Sequence, residues 1–178
     1  MNIILDIGHA SCTGARGHAR DEHEVNTRLA NILRRKLRGA GHGVNIVDYP
    51  TRSNTQDLRM TIDEANRISL PDSIGLSLHS DCSDNPQAHG AHVIYTSTAG
   101  AELAACIAAP LCTLLPGRAD QTRKRSNLAI LKGTIAPWVI VESGFISHAV
   151  DSAYYTSEGL DAIASAIAEG IKSYAANL

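Results

Sequence analysis

Three short apolar runs in this chain break off into ionisable residues. The run at residues 2–7 passes into Asp6-Ile7-Gly8-His9, the run at 73–79 ends in Ser77-Leu78-His79-Ser80-Asp81, and the run at 137–143 ends in Ile140-Val141-Glu142-Ser143-Gly144. If the runs are parallel strands, their C-terminal ends lie along one sheet edge, where open α/β sheets place their ligand sites. Imidazole nitrogens and carboxylate oxygens meeting there are suited to zinc. A single histidine at a strand end is usually an ordinary hydrogen-bonded residue. Two of them, His9 and His79, at matching ends beside a similarly placed Glu142, form a pattern that the ordinary reading does not explain. Glu142 also closes the run Trp138-Val139-Ile140-Val141. An anion is costly to bury there unless a metal or a shared proton balances it.

A catalytic zinc takes three protein ligands and keeps a fourth position for water. The missing ligand must come from a segment that returns to the same edge. The first turn of the helix after the His9 loop does so, and it offers Glu22 and Glu24. Glu22 lies three and seven residues before Val25 and Leu29, which puts it on their inward face. Glu24 lies four before Arg28 on the polar face, where an exposed ion pair would hold it. Glu22 is therefore the expected third ligand.

The elements that must position these groups are legible in outline. Residues 2–7 form a buried apolar strand, followed by a polar loop to about Arg20. Asp21 caps a helix running to about Ala40, with Val25, Leu29, Ile32, Leu33 and Leu37 at helical spacing and Gly41 as its stop. Residues 43–49 alternate as a strand, and 55–68 form a second helix. The strand at 73–79 is expected to pair with 91–96 as a hairpin. A helix at 101–115 should be kinked or split by Pro110, 128–131 is read as a short strand, and 137–143 as a strongly apolar one. Ser157 is expected to cap a final helix carrying Leu160, Ile163, Ile167, Ile171 and Tyr174 on one side. Strands alternating with helices make an α/β fold: a single domain over 1–178, with a twisted, mixed, mostly parallel sheet and helices on both faces. At 178 residues the chain can bury a full core, and with aromatics at only 4% that core must be aliphatic.

Composition removes several classes of function. The formal net charge is −2 and no basic stripe stands out, so nucleic acid is a poor partner. The four cysteines form no C-x-x-C pair, which argues against a thiolate zinc finger. Cys106 and Cys112 read as core fillers. Cys12 and Cys82 each follow a proposed ligand by three residues and read as small buried residues. His18, His23, His42, His89, His92 and His148 read as ordinary surface, with His18 able to reach a substrate. No apolar run has membrane-spanning length, and the first residues lack the basic start and long apolar stretch of an export signal. The expectation is a monomer made in the cytoplasm.

Four motifs in order carry a family resemblance across the chain. They are Asp6-Ile7-Gly8-His9; Glu22 followed four residues later by Asn26; Ser77-Leu78-His79-Ser80-Asp81 followed by Gly90 to Tyr95; and Leu128 to Leu131 with Pro137 through Glu142 to Ser147. The sequence thus resembles the zinc-dependent N-acetylmuramoyl-L-alanine amidases of the amidase-3 family. Asp81 stands where that family usually has Asn, His148 stands where it often has another Asn, and the spacing around Arg59 and Asn66 is looser than the family pattern. The resemblance implies zinc on His9, Glu22 and His79, Glu142 as general base, and cleavage of the bond between N-acetylmuramic acid and L-alanine in peptidoglycan. A carboxypeptidase-like zinc hydrolase and a catalytically silent wall-binding module are the rival readings. The setting expected for such a bare catalytic domain is an endolysin.

Overall fold

The computed structural model describes residues 1–10, 13–49 and 53–178. Its elements run β1 (Asn2–Ile7), β2 (Arg16–Gly17), β3 (Arg20–Asp21), α1 (Glu22–Gly39), β4 (Gly43–Val47), α2 (Asn54–Ile68), β5 (Ser73–Asp81), β6 (His92–Tyr95), α3 (Thr98–Leu114), β7 (Thr122–Lys124), α4 (Ala129–Gly133), β8 (Trp138–Phe145), α5 (Ala149–Ser152) and α6 (Ser157–Ala176). The main sheet has the order β4-β1-β5-β8-β6-β7. β4, β1, β5 and β8 are parallel, and β6 turns the sheet mixed by pairing antiparallel to β8.

Residues buried on both faces of β1, β5 and β8 require cover on both sides. Ile3, Leu5, Leu76, Leu78, Val139 and Val141 pack with α1, α3 and α6 in the larger core. Ile4, Ile94, Trp138 and Ile140 pack with residues of α2 and α4 in a smaller one. Gly75 makes the second core possible. It is the register partner of Trp138, and a Cβ on it would fall 1.8 Å from the indole ring. Lying flat over that glycine, Trp138 donates its Nε1–H to Ser77 Oγ at 2.9 Å.

The expected helices are present, with some changed ends. Asp21 caps α1 by accepting from the backbone N–H groups of His23 and Glu24. Val25, Leu29, Leu33 and Leu37 are buried along its inner face, and Leu160, Ile163, Ile167, Ile171 and Tyr174 do the same in α6. The α6 cap is Thr156, whose Oγ1 accepts from Gly159 N–H, so Ser157 is already the first helical residue. Pro110 does not split α3, which runs from Thr98 to Leu114. Cys112 is buried in the core and Cys106 half-buried at its margin, as core fillers.

Two strand assignments change. β6 does not pair with β5, because β8 lies between them. β8 is apolar on both faces and takes the central position, whereas β6 has only four residues and fits nearer the edge. The run at 128–131 is helical: Ile130 and Leu131 turn inward from α4 onto the second core, a pattern four residues long that suits either structure. β2 and β3 form a small ribbon inside the expected loop, joined by His18 and Ala19 at φ 47° and 58°. Those left-handed angles make the two-residue turn that strand twist favours.

Candidate active site

His9, Glu22 and His79 converge at the C-terminal edge of the sheet. Each offers a ligand atom, and the three atoms all lie within 4.8 Å of one another. The register of β1 with β5 ends on Ile7 opposite Leu78, and Gly8 N–H continues it by donating to Leu78 O at 2.9 Å. The next residues therefore meet. Gly8 faces the His79 ring so closely that a Cβ there would lie 2.4 Å from it. His9 then turns the chain with φ at 67°, a conformation rare for a side-chain-bearing residue. Two bonds hold that turn. His23 Nδ1–H donates to His9 O at 2.8 Å, and Ala10 N–H donates to Asn54 Oδ1 at 3.1 Å.

Glu22 is 2% exposed and begins α1. Its Oε2 accepts from Ala15 N–H at 2.8 Å and its Oε1 from Ser80 N–H at 3.1 Å, so backbone donors fix the carboxylate from two sides. One turn on, Asn26 accepts the Ser80 hydroxyl at 3.3 Å. Glu22 and Asn26 together thereby hold the strand residue that follows His79, and this is what their four-residue spacing accomplishes. Burial opposes charge on Glu22, but its contacts with His79 and His9 win and keep the carboxyl well below the usual range. Burial likewise opposes charge on His79, and Glu22 overrides it, raising the imidazole to about 9. The proton on His79 thus balances the charge of the Glu22 anion, and a divalent cation could take that role.

The donor set fits zinc. His9 Nε2 lies 3.3 Å from Glu22 Oε2, and His79 Nδ1 lies 3.2 Å from Glu22 Oε1. Ligands about 2.0–2.2 Å from a tetrahedral ion stand about 3.4 Å apart, so each imidazole nitrogen stands at ligand spacing from its own oxygen of the Glu22 carboxylate. The two rings meet edge to face, 5.0 Å between centroids, so neither blocks the other's nitrogen.

Glu142 lies one strand away, in register with His79. Immediately afterwards β8 gains one residue on β5, since Asp81 pairs with Phe145. The bulge is accommodated by Gly144 at φ 106°, which a side chain would strain. Thus the Glu-Ser-Gly-Phe sequence ends the regular ladder just past the glutamate. Glu142 Oε2 is sealed from solvent and has no hydrogen-bond partner among the described residues. Burial pushes its carboxyl up to about 7, partly offset by His79. Beside His9 and His79 a cleft runs under α2, lined by Asp6, Asn54, Asp57, Thr61 and Ile130.

Other residues depart from expectation. His23 is half-buried and holds the His9 backbone, a role that depends on tertiary contact and leaves no sequence signal. His92 is 2% exposed within β6 rather than at the surface. Glu24 is exposed as expected, but Arg28 turns instead to Tyr155 O and Ser157 Oγ. Cys82 is exposed, because β5 ends at Asp81 and the chain leaves the core there. Cys12 lies outside the described residues. His18 is exposed and bonds Ser147 O at 3.2 Å. His42 is half-buried, while His89 and His148 stack on each other 4.8 Å apart.

Residues 3–173 match the family model described as N-acetylmuramoyl-L-alanine amidase. The chain belongs to that amidase family. Among its relatives, the N-acetylmuramoyl-L-alanine amidase LytC of Bacillus subtilis is 29% identical over 97% of this chain. The probable cell wall amidase LytH of Staphylococcus epidermidis is 27% identical over the same share. The chain spans 35% of LytC and 57% of LytH. Among solved structures, the catalytic domain of the CD27L endolysin, which targets Clostridia Difficile, superposes with a TM-score of 0.88 at 27% identity, each chain covered over 97%. The amidase fold, a single α/β domain with a mixed, mostly parallel sheet, is therefore that of this chain.

Proposed function

We propose that this chain is a zinc-dependent peptidoglycan amidase that hydrolyses the bond between N-acetylmuramic acid and L-alanine. The observation that carries the reading is Glu142, half-buried and in register with His79, beside three residues whose donor atoms fit zinc. Membership of the amidase family supplies the substrate class.

His9, Glu22 and His79 would hold the ion. Zinc, when bound, supplies Lewis acidity that makes water a nucleophile near neutral pH and polarises a carbonyl. The rest falls to the chain. Glu142 accepts a proton from the attacking water as the tetrahedral centre forms, then delivers it to the departing amine of L-alanine. The backbone donors to Glu22 and the His23 bond to His9 keep the ligands in place without reorganisation during turnover. No covalent intermediate is required, so Ser80, Ser143 and the cysteines take no part. Wall lysis of the endolysin kind is the setting we favour, supported by the likeness to CD27L over the whole catalytic domain.

Mass spectrometry of purified peptidoglycan after digestion tests the reading. The expected products carry free L-alanine amino termini on intact glycan strands. Activity should vanish on chelation and return with zinc. Cleavage at another bond, or turnover indifferent to chelator, would overturn it.

A further inference from the structure

Glu142 has a histidine on each side. In the parallel pairing of β5 with β8 its register partner is His79, and in the antiparallel pairing of β6 with β8 it is His92. Residues opposite one another in an antiparallel pair share a face, with Cβ atoms roughly 5 Å apart. His79 belongs to the metal triad, whereas His92 has no assigned role. Its Nδ1 is sealed from solvent and lacks a hydrogen-bond partner among the described residues, and Glu142 Oε2 is in the same condition. Buried polar atoms are seldom left in that state. Here two of them occupy adjacent residues on one face, one able to donate and the other to accept.

The ring chemistry is consistent with this pairing. Burial, with Arg118 nearby, pushes His92 down to about 4, so the imidazole is neutral and carries one N–H. Nε2 lies 4.0 Å from Asp81 Oδ2, beyond hydrogen-bond reach. We propose that His92 is a positioning residue for Glu142: the two atoms are not bonded to each other in the structure, and a rotation of the Glu142 carboxyl brings Oε2 onto the Nδ1–H, so that the other carboxylate oxygen is aimed into the site. The proposal rests on Glu142 acting as the general base.

Three substitutions test it. His92→Leu should keep full zinc stoichiometry and an unchanged KM while kcat falls roughly 10–100-fold, the usual cost of losing an orienting partner. His92→Asn places an amide near the Nδ1 position and should restore most of kcat, whereas His92→Gln, which reaches toward Nε2, should not. A second readout needs no turnover. In metal-free, 15N-labelled protein the His92 ring should show the Nδ1–H tautomer, and that signal should move in Glu142→Gln. Wild-type kcat in His92→Leu, equal kcat in the Asn and Gln variants, or an Nε2–H ring unaffected by Glu142→Gln would overturn the proposal. If His92→Leu fails to fold, the Asn and Gln comparison and the ring spectrum decide. A wild-type protein without amidase activity would instead overturn the reading of the site, and the spectrum would still decide the contact.

Discussion

Glu22 and Glu142 are carboxylates at one sheet edge, and their surroundings push them in opposite directions. Glu22 accepts two backbone N–H groups and touches two imidazoles, so it stays an anion. Glu142 has a sealed oxygen without a donor, so its proton affinity rises. Environments that separate two carboxyl groups in this way divide their roles. Glu142→Gln preserves shape and removes the proposed base: zinc content should be unchanged, with kcat at least about 100-fold lower. Asp57 provides a pH test outside the triad. Burial, reinforced by Asp6 and Asp48, raises its carboxyl to about 6 from 3.8. A raised acid costs nothing below its unfolded pKa, where both states are protonated, and costs stability as pH climbs through the folded value. Asp57→Asn should therefore raise the Tm of the metal-free protein at pH 7, and the gain should vanish below about pH 4. His9, His79 and Glu142 could be found in the sequence because residue type and strand-end position coincide, and Glu22 because it shares the inward helix face of Val25 and Leu29. His23 and His92 could not, since one acts on a left-handed backbone and the other through strand register.

At the scale of elements, the site depends on how α1 starts. Asp21 caps the helix, and the next residue is Glu22. Asp21→Ala should cost about 1 kcal/mol of stability, as helix caps do, and should weaken zinc binding as well, because the first turn that carries Glu22 frays. Denaturant melts and a competitive zinc titration would check both effects. This cap could be read from sequence because a capping Asp acts on residues two and three positions ahead. The pairing of β6 could not be read that way. Its four residues are compatible with either neighbour, and β8 takes the place beside β5 because it is apolar on both faces. The α4 run was ambiguous for a related reason: two inward apolar residues in a short segment do not define a period.

Across the whole molecule, the proposed metal would join three elements distant in the chain. His9 follows β1, Glu22 opens α1 and His79 lies near the end of β5. Binding only the folded state, zinc at about 100 times its Kd should add about 2.7 kcal/mol of stability. Calorimetry should show Tm rising with zinc in wild type and no rise in His79→Ala. Among the described residues no helix is long and apolar enough to cross a membrane, in line with the hydropathy of the chain. The sequence by itself determined the alternation of strands and helices, the caps and the inward faces, because these depend on local backbone chemistry and on a period of two or 3.6 residues. It also determined which ionisable residues end the strands, and with them the amidase motifs. Only the tertiary structure decided that β8 lies between β5 and β6. That order is set by competition among distant segments for the buried centre of the sheet, and it places Glu142 between two histidines.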